Sequence, residues 1–202
     1  WHRDRGNDRN PPTQPTTEVP QQPTTPTVPA PTPAPTVPTI LPVVKWYPGH
    51  YIMTDLKPAD TNQLLLDFKD IPAMRGIEKT YSWSDLEVPK AGGGWEYNFS
   101  QIDRDLTMAK NYCKKLSIMI GYKYLDGTKS PLPKYVLDLE NVTVNGISVP
   151  SYYAQTTPSI NYANFGHSGT VNAFSNLLKA LAVKYDKDTA VSFIRFAETS
   201  SS

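Results

Sequence analysis

Residues 116–124 read LSIMIGYKY, from Leu116 to Tyr124, and are apolar almost throughout. The run is too short for a membrane helix, which needs about 20 apolar residues, and it lacks the polar alternation of a half-buried strand. It reads as a strand buried on both faces, the signature of a parallel sheet. Parallel strands need crossover connections, and helical spacing appears on both sides. Upstream, Ser100 opens a helix with Asp103 three residues later as an approximate capping box. Its apolar stripe of Ile102, Leu106, Ala109 and Cys113 places Cys113 in the core. Before it, Met74–Tyr81 (MRGIEKTY) reads as a strand, Pro58–Phe68 as a helix carrying Leu64, Leu65 and Phe68, and Val43–Met53 as a first strand interrupted by Pro48-Gly49. Downstream, a long loop rich in Pro, Asn, Ser and Tyr leads to a helix over about Val171–Tyr185 and a fourth strand over Val191–Ala197.

Alternation of strand and helix implies an α/β domain built from right-handed βαβ units. The fourth strand has no helix after it, although a parallel sheet needs cover on both faces and at its edges. The expectation is therefore a partial (β/α)8 TIM barrel of about four βα units, because a whole barrel needs about 250 residues. A doubly wound open sheet is the rival. It calls for a glycine-rich phosphate turn between an early strand and a helix, and Gly92-Gly93-Gly94 neither follows a strand directly nor opens a helix.

The rest of the composition defines the surroundings of this domain. Of the 20 prolines, 12 lie between Pro11 and Pro42, together with nine threonines and the single charge of Glu18. Residues 11–42 read as a disordered Pro/Thr-rich linker in polyproline II, residues 1–10 as the end of an upstream segment, and residues 43–202 as the domain. The sequence begins at Trp1 without a signal peptide, so it reads as a piece of a longer, modular protein. A linker of this kind points to an extracellular or cell-surface protein with an upstream module tethered through it. The net charge of +1 leaves no footprint for nucleic acid or an anionic membrane surface. One cysteine excludes an internal disulfide framework and a cysteine-based zinc site. His50 and His167 alone make no convincing metal site, so neither metal nor cofactor is expected.

Arg75–Leu106, RGIEKTYSWSDLEVPKAGGGWEYNFSQIDRDL, carries the pattern G-I-E-x-x-Y-x-W-x-D-L-E, a glycine turn, Y-x-F-S and I-D-x-D-L. It resembles the second strand and second helix of clan A-type glycoside hydrolase barrels. Lys114-Lys115-Leu116-Ser117-Ile118 resembles their lead into strand three. Ala180-Leu181-Ala182 with Tyr185-Asp186, then Glu198-Thr199, resembles their third helix and fourth strand. The likeness spans most of Trp46–Ser200. It implies the N-terminal half of a barrel that hydrolyses O-glycosidic bonds of a β-linked polysaccharide or oligosaccharide with two carboxylates, one ending strand four and the other ending strand seven.

That chemistry needs one carboxylic acid to protonate the leaving oxygen and a second carboxylate as nucleophile or base. Glu198 follows the fourth apolar strand, at the end where barrel active sites lie, and is the expected general acid/base. The preceding residue is Ala197, where the family usually carries Asn. The second carboxylate falls beyond Ser202, so this fragment alone is expected to be inactive. Tyr81 and Trp83 at the end of strand two, and Tyr122 and Lys123 at the end of strand three, are the expected sugar contacts, through ring stacking and hydrogen bonds to sugar hydroxyls. The competing role for these aromatics is packing between barrel and helix. His50, placed near the end of strand one, is a further substrate-binding candidate. Trp95, Tyr152 and Tyr153 are loop residues available to a cleft. Glu78, mid-strand, is expected to meet a Lys or Arg inside the barrel, and Glu87 to fix a loop. A non-catalytic carbohydrate-binding or surface-adhesion protein on a barrel scaffold is the alternative function.

Overall fold

The computed structural model describes residues 45–55, 57–123, 130–156 and 159–196, all within the unit Val43–Ser202. The expected linker, Tyr124 and Glu198 lie outside the described residues. Strand β1 (His50–Met53) is followed by helix α1 (Pro58–Asp67) and strand β2 (Met74–Ser82). One helical turn, α2 (Trp83–Leu86), leads into a hairpin of β3 (Glu87–Pro89) and β4 (Trp95–Tyr97), then into α3 (Ser100–Asn111) and β5 (Lys115–Gly121). The next stretch holds α4 (Lys134–Leu137), a hairpin of β6 (Val142–Val144) and β7 (Ile147–Val149), and a hairpin of β8 (Tyr152–Thr156) and β9 (Ser159–Ala163). Helix α5 (Ser168–Tyr185) and strand β10 (Val191–Phe196) follow.

The fold is mixed α/β. Its main sheet has the order β1-β2-β5-β10, with every neighbouring pair parallel. The strands therefore sit side by side in chain order, and their carboxyl ends lie together. Gly76 makes the closest approach in the sheet, because a Cβ there would stand 2.0 Å from the carbonyl oxygen of Lys115. Only glycine lets β2 and β5 pair at this register.

Strand alternation separates two faces. On one, Ile77, Leu116, Ile118 and Ile120 are fully buried and join Leu65 of α1, Ile102, Leu106 and Ala109 of α3, and Leu177 and Leu181 of α5 in a single core. Each such Leu or Ile contributes roughly 1.5–3 kcal/mol by leaving water. Polar groups also lie under these helices. Asp105 of α3 accepts a hydrogen bond from the Tyr81 hydroxyl at 3.0 Å and pairs with the Lys79 ammonium at 3.7 Å, which also donates to Thr61 of α1.

The other face carries Tyr51, Glu78, Ser117, Phe193 and Arg195. The rings of Tyr51, on β1, and Phe193, on β10, meet edge-on with centroids 5.2 Å apart. These are the two edge strands, which a flat sheet would hold about 14 Å apart over three spacings of roughly 4.8 Å. Their side chains touch because the sheet curls toward this face. Below it, the Lys45 ammonium donates to the carbonyl of Asp188 at 2.8 Å, and the Arg75 guanidinium donates to that of Pro48 at 2.9 Å. The segment before β1 is thus tied to both sides of the sheet.

Several local expectations give way. The first strand begins only at His50, since Lys45–Gly49 is engaged in those cross-sheet contacts instead. Ser100 is the first residue of α3 rather than its cap. Its N–H is taken by the Asn98 side chain at 3.1 Å, and Asp103 turns to Tyr185 and Lys184 of α5. Cys113 is exposed rather than core. Helix α3 has already stopped at Asn111, and Cys113 takes the left-handed conformation with φ 55°. Its N–H bonds the Lys110 carbonyl while the Lys114 N–H bonds that of Ala109, the paired bonds of a Schellman motif.

Candidate functional site

In parallel sheets the chain leaves each strand at the same end, and loops gathered there build ligand sites. Among the described residues the chain leaves the sheet at that end after Met53, Ser82 and Gly121. At the end of β2, the hydroxyls of Ser82 and Ser84 share a hydrogen bond of 2.8 Å beside the carbonyls of Pro131 and Ser130, and the Ser84 N–H donates to the Pro131 carbonyl at 2.8 Å. This fastens the segment that precedes α4. Glu87 is buried and accepts two hydrogen bonds of 2.9 Å, from the Trp83 indole N–H and the Tyr135 hydroxyl. It fixes a loop, as its sequence context implies. Burial, and then the Glu87 charge, hold the Tyr135 hydroxyl well above the ordinary tyrosine range. Trp95 of β4 rests on Tyr135 at 5.0 Å between ring centroids. Between β3 and β4, Gly92, Gly93 and Gly94 all have positive φ, so this turn is a hairpin tip rather than a phosphate cradle.

Beyond β5 the hairpin of β8 and β9 is attached directly to the departing strand. The Ala163 N–H donates to the Tyr122 carbonyl at 3.2 Å, and Lys123 pairs with Tyr162 in an antiparallel bridge. The Lys123 ammonium stands 5.5 Å from the centre of the Tyr162 ring. The hairpin is stiffened at its base. The Asn164 side chain donates to Pro150, Thr170 donates to Ser151, and buried His167 caps α5 by accepting the Thr170 N–H at 3.2 Å. Accepting at Nδ1 leaves Nε2 to donate to the Glu140 carbonyl at 2.9 Å, so the ring is fully engaged.

Placement of the residues expected to bind sugar is mixed. Tyr81 lies beneath α3, 2% exposed, with its hydroxyl on Asp105, and burial raises its pKa far above the normal range. Its side chain takes the helix-facing side of β2, so its ring has no free face. Trp83 is fully buried, and Tyr122 is 4% exposed. Both meet the Phe174 ring of α5 edge-on, at 5.1 and 5.8 Å. The structure brings these two together, but in the core beneath the rim. Lys123 stands at the rim. His50 begins β1, and its N–H bonds Ala73, so it sits at the opposite end of the sheet from the carboxyl-end loops. Glu78 is buried on the inner face, accepting from Arg195 and Ser117 at 3.1 Å each. Tyr135, Tyr162 and Arg195 escape a reading by strand ends alone. Two β-prone runs, SYYAQT and SINYA, flank Thr157-Pro158 and are the sequence signal for the hairpin that carries Tyr162.

No family model matches the chain, and no curated protein matches it. Among solved structures it is similar to the endo-1,4-beta-mannanase from Rhizomucor miehei, with 11% sequence identity and a TM-score of 0.44. That match covers 75% of this chain and 44% of the mannanase, so the chain spans less than half the length of that enzyme.

Proposed function

We propose that this chain supplies the N-terminal half of a (β/α)8 glycoside hydrolase domain, cleaving O-glycosidic bonds in a β-linked polysaccharide or oligosaccharide. The observation that carries the reading is the sheet. Four parallel strands stand in chain order, curled until Tyr51 of the first touches Phe193 of the fourth. Curvature of this sense is what an eight-stranded closed barrel requires of half its wall. Glu198 follows Phe196, the last residue of β10, by two positions on the carboxyl side. In this reading Glu198 protonates the leaving oxygen, and the second carboxylate comes from sequence beyond these 202 residues. The Pro/Thr segment tethers the domain to an upstream module outside the cell, and no cofactor takes part.

The test is release of reducing sugar from β-glucan, β-mannan and galactan. Residues 1–202 alone give none, whereas a protein that carries this chain with the remaining half of the barrel hydrolyses at least one of them. Replacing Glu198 by Gln in that longer protein lowers turnover by roughly 10²–10⁴-fold. Hydrolysis by residues 1–202 alone overturns the half-barrel reading. A longer protein that binds these polymers without cleaving any of them establishes the alternative, a carbohydrate-binding or adhesion protein.

A further inference from the structure

The geometry points to a sugar-stacking subsite on the hairpin of β8 and β9, formed by Tyr153 and Tyr162 with Lys123 beside them. It rests on the carbohydrate reading above and assigns that reading a specific surface. Tyr153 and Tyr162 are directly opposite each other in the hairpin register, with ring centroids 5.3 Å apart and planes inclined by 34°. Tyr153 is 46% exposed, far more than Tyr81, Trp83 or Tyr122. Neither the Tyr153 nor the Tyr162 hydroxyl has a hydrogen-bond partner among the described residues. A pyranose presents a flat face of C–H groups bordered by hydroxyls, which matches an aromatic face bordered by phenol groups. The bridge between Lys123 and Tyr162 fixes this pair to the carboxyl end of β5, the side of a parallel sheet where ligands bind. Two rings are too small a surface for a protein partner, which needs about 800 Å² on each side. They are enough for one sugar ring.

A cross-strand tyrosine pair also stabilises its own hairpin, so the test must separate binding from folding. Binding of mannohexaose, cellohexaose and xylohexaose to the full chain is measured by calorimetry for the wild type, Tyr153→Val and Tyr153→Phe. Valine keeps strand propensity and removes the ring. The expected result is a Kd raised roughly three- to ten-fold by Tyr153→Val for whichever hexaose binds, and a smaller change for Tyr153→Phe. Should Tyr153→Val fail to fold, NMR of the wild-type chain decides, since titration with the bound hexaose shifts the ring protons of Tyr153 and Tyr162. An unchanged Kd with an intact thermal transition, unmoved ring signals, or no binding of any hexaose at millimolar concentration overturns the subsite. Hydrolysis by the longer protein is read separately. Cleavage with unmoved Tyr153 and Tyr162 signals removes this subsite alone, and sugar binding through the hairpin without cleavage removes only the hydrolase.

Discussion

Glu78 and Arg195 meet across an intervening strand. Nη1 of Arg195, on β10, lies 3.1 Å from Oε1 of Glu78, on β2, while Ser117 of β5 donates to Oε2 from between them. The carboxylate side chain is 4% exposed and the guanidinium side chain 53%. Breaking a fully buried pair from one side costs about 3–5 kcal/mol, and an exposed pair under about 1. With one partner in each condition, Arg195→Met should destabilise the domain by about 2 kcal/mol, read as a lower urea midpoint. Adding Glu78→Gln should recover most of that loss, because no buried charge is then left unpaired. Equal losses in the single and double variants would show that the Glu78 carboxylate carries no penalty when left unpaired.

Cys113 occupies the position after α3 where a left-handed residue is required. A residue with a Cβ pays roughly 1–2 kcal/mol in this conformation, and glycine almost nothing. The thiol is exposed, so its removal leaves no cavity. Cys113→Gly should therefore raise stability by about 0.5–1 kcal/mol, after allowing for the greater freedom of glycine in the unfolded chain. A lower thermal midpoint for this variant would contradict the Schellman assignment.

Short apolar runs and helical stripes make much of the architecture legible from sequence, as LSIMIGYKY and the spacing of Ile102, Leu106 and Ala109 show. The three later sheet strands and the three longer helices follow from such patterns. Some turn chemistry is equally legible. Asn145-Gly146 lies between the short strands Val142–Val144 and Ile147–Val149 with both φ values positive, the pattern of a tight hairpin, and reading residues 125–170 as one loop misses it. The start of β1 is not local information, since Lys45–Gly49 is held by Asp188 and Arg75, distant in sequence. The same limit governs the site. Strand ends identify Tyr81, Trp83 and Tyr122 as candidates, but alternation does not say which face of the sheet the helices cover. Tyr81 falls under α3, and Trp83 and Tyr122 converge on Phe174. The exposed hairpin aromatics are Tyr153 and Tyr97, whose hairpins have no helical or long-strand period to mark them.

Tyrosine hydroxyls predict the alkaline limit of the fold. Burial, reinforced by Asp105, Glu87 and Asp103 respectively, raises the pKa of Tyr81, Tyr135 and Tyr185 above the ordinary value of 10.0. Their folded pKa exceeds the unfolded one, so their contribution is complete below pH 10 and is lost as pH climbs beyond it, when the unfolded chain releases protons that the native state retains. Lys114 acts in the opposite sense, because burial lowers its pKa while it donates to the carbonyls of Ile71 and Met74. Burial also raises the pKa of Tyr97 and Tyr122, so with five phenols against one amine, urea midpoints should fall steadily between about pH 10 and 11. Tyr81→Phe should make the decline shallower. A midpoint constant over that range would contradict the burial of these hydroxyls.

In a longer protein that completes the barrel, the role of Glu198 is read from the leaving group. If it is the general acid, Glu198→Gln keeps shape and hydrogen bonding but removes the transferable proton. Sugars with poor leaving groups should then lose roughly 10²–10⁴-fold in turnover. Aryl glycosides of acidic phenols leave without protonation, so their cleavage step should change far less. In a retaining enzyme the same residue later activates water. The glycosyl-enzyme formed from an activated substrate should therefore accumulate, and azide, which attacks without a base, should restore turnover and yield a glycosyl azide. A glutamate that only supports the fold behaves differently, because its amide would shift the unfolding midpoint or change nothing, whatever the acidity of the leaving group. The decisive measurement is a leaving-group series on the Glu198→Gln enzyme with and without azide. Equal losses across the series, with no response to azide, would take Glu198 out of the proton transfer and leave the acid to another carboxyl group at the carboxyl ends of the strands.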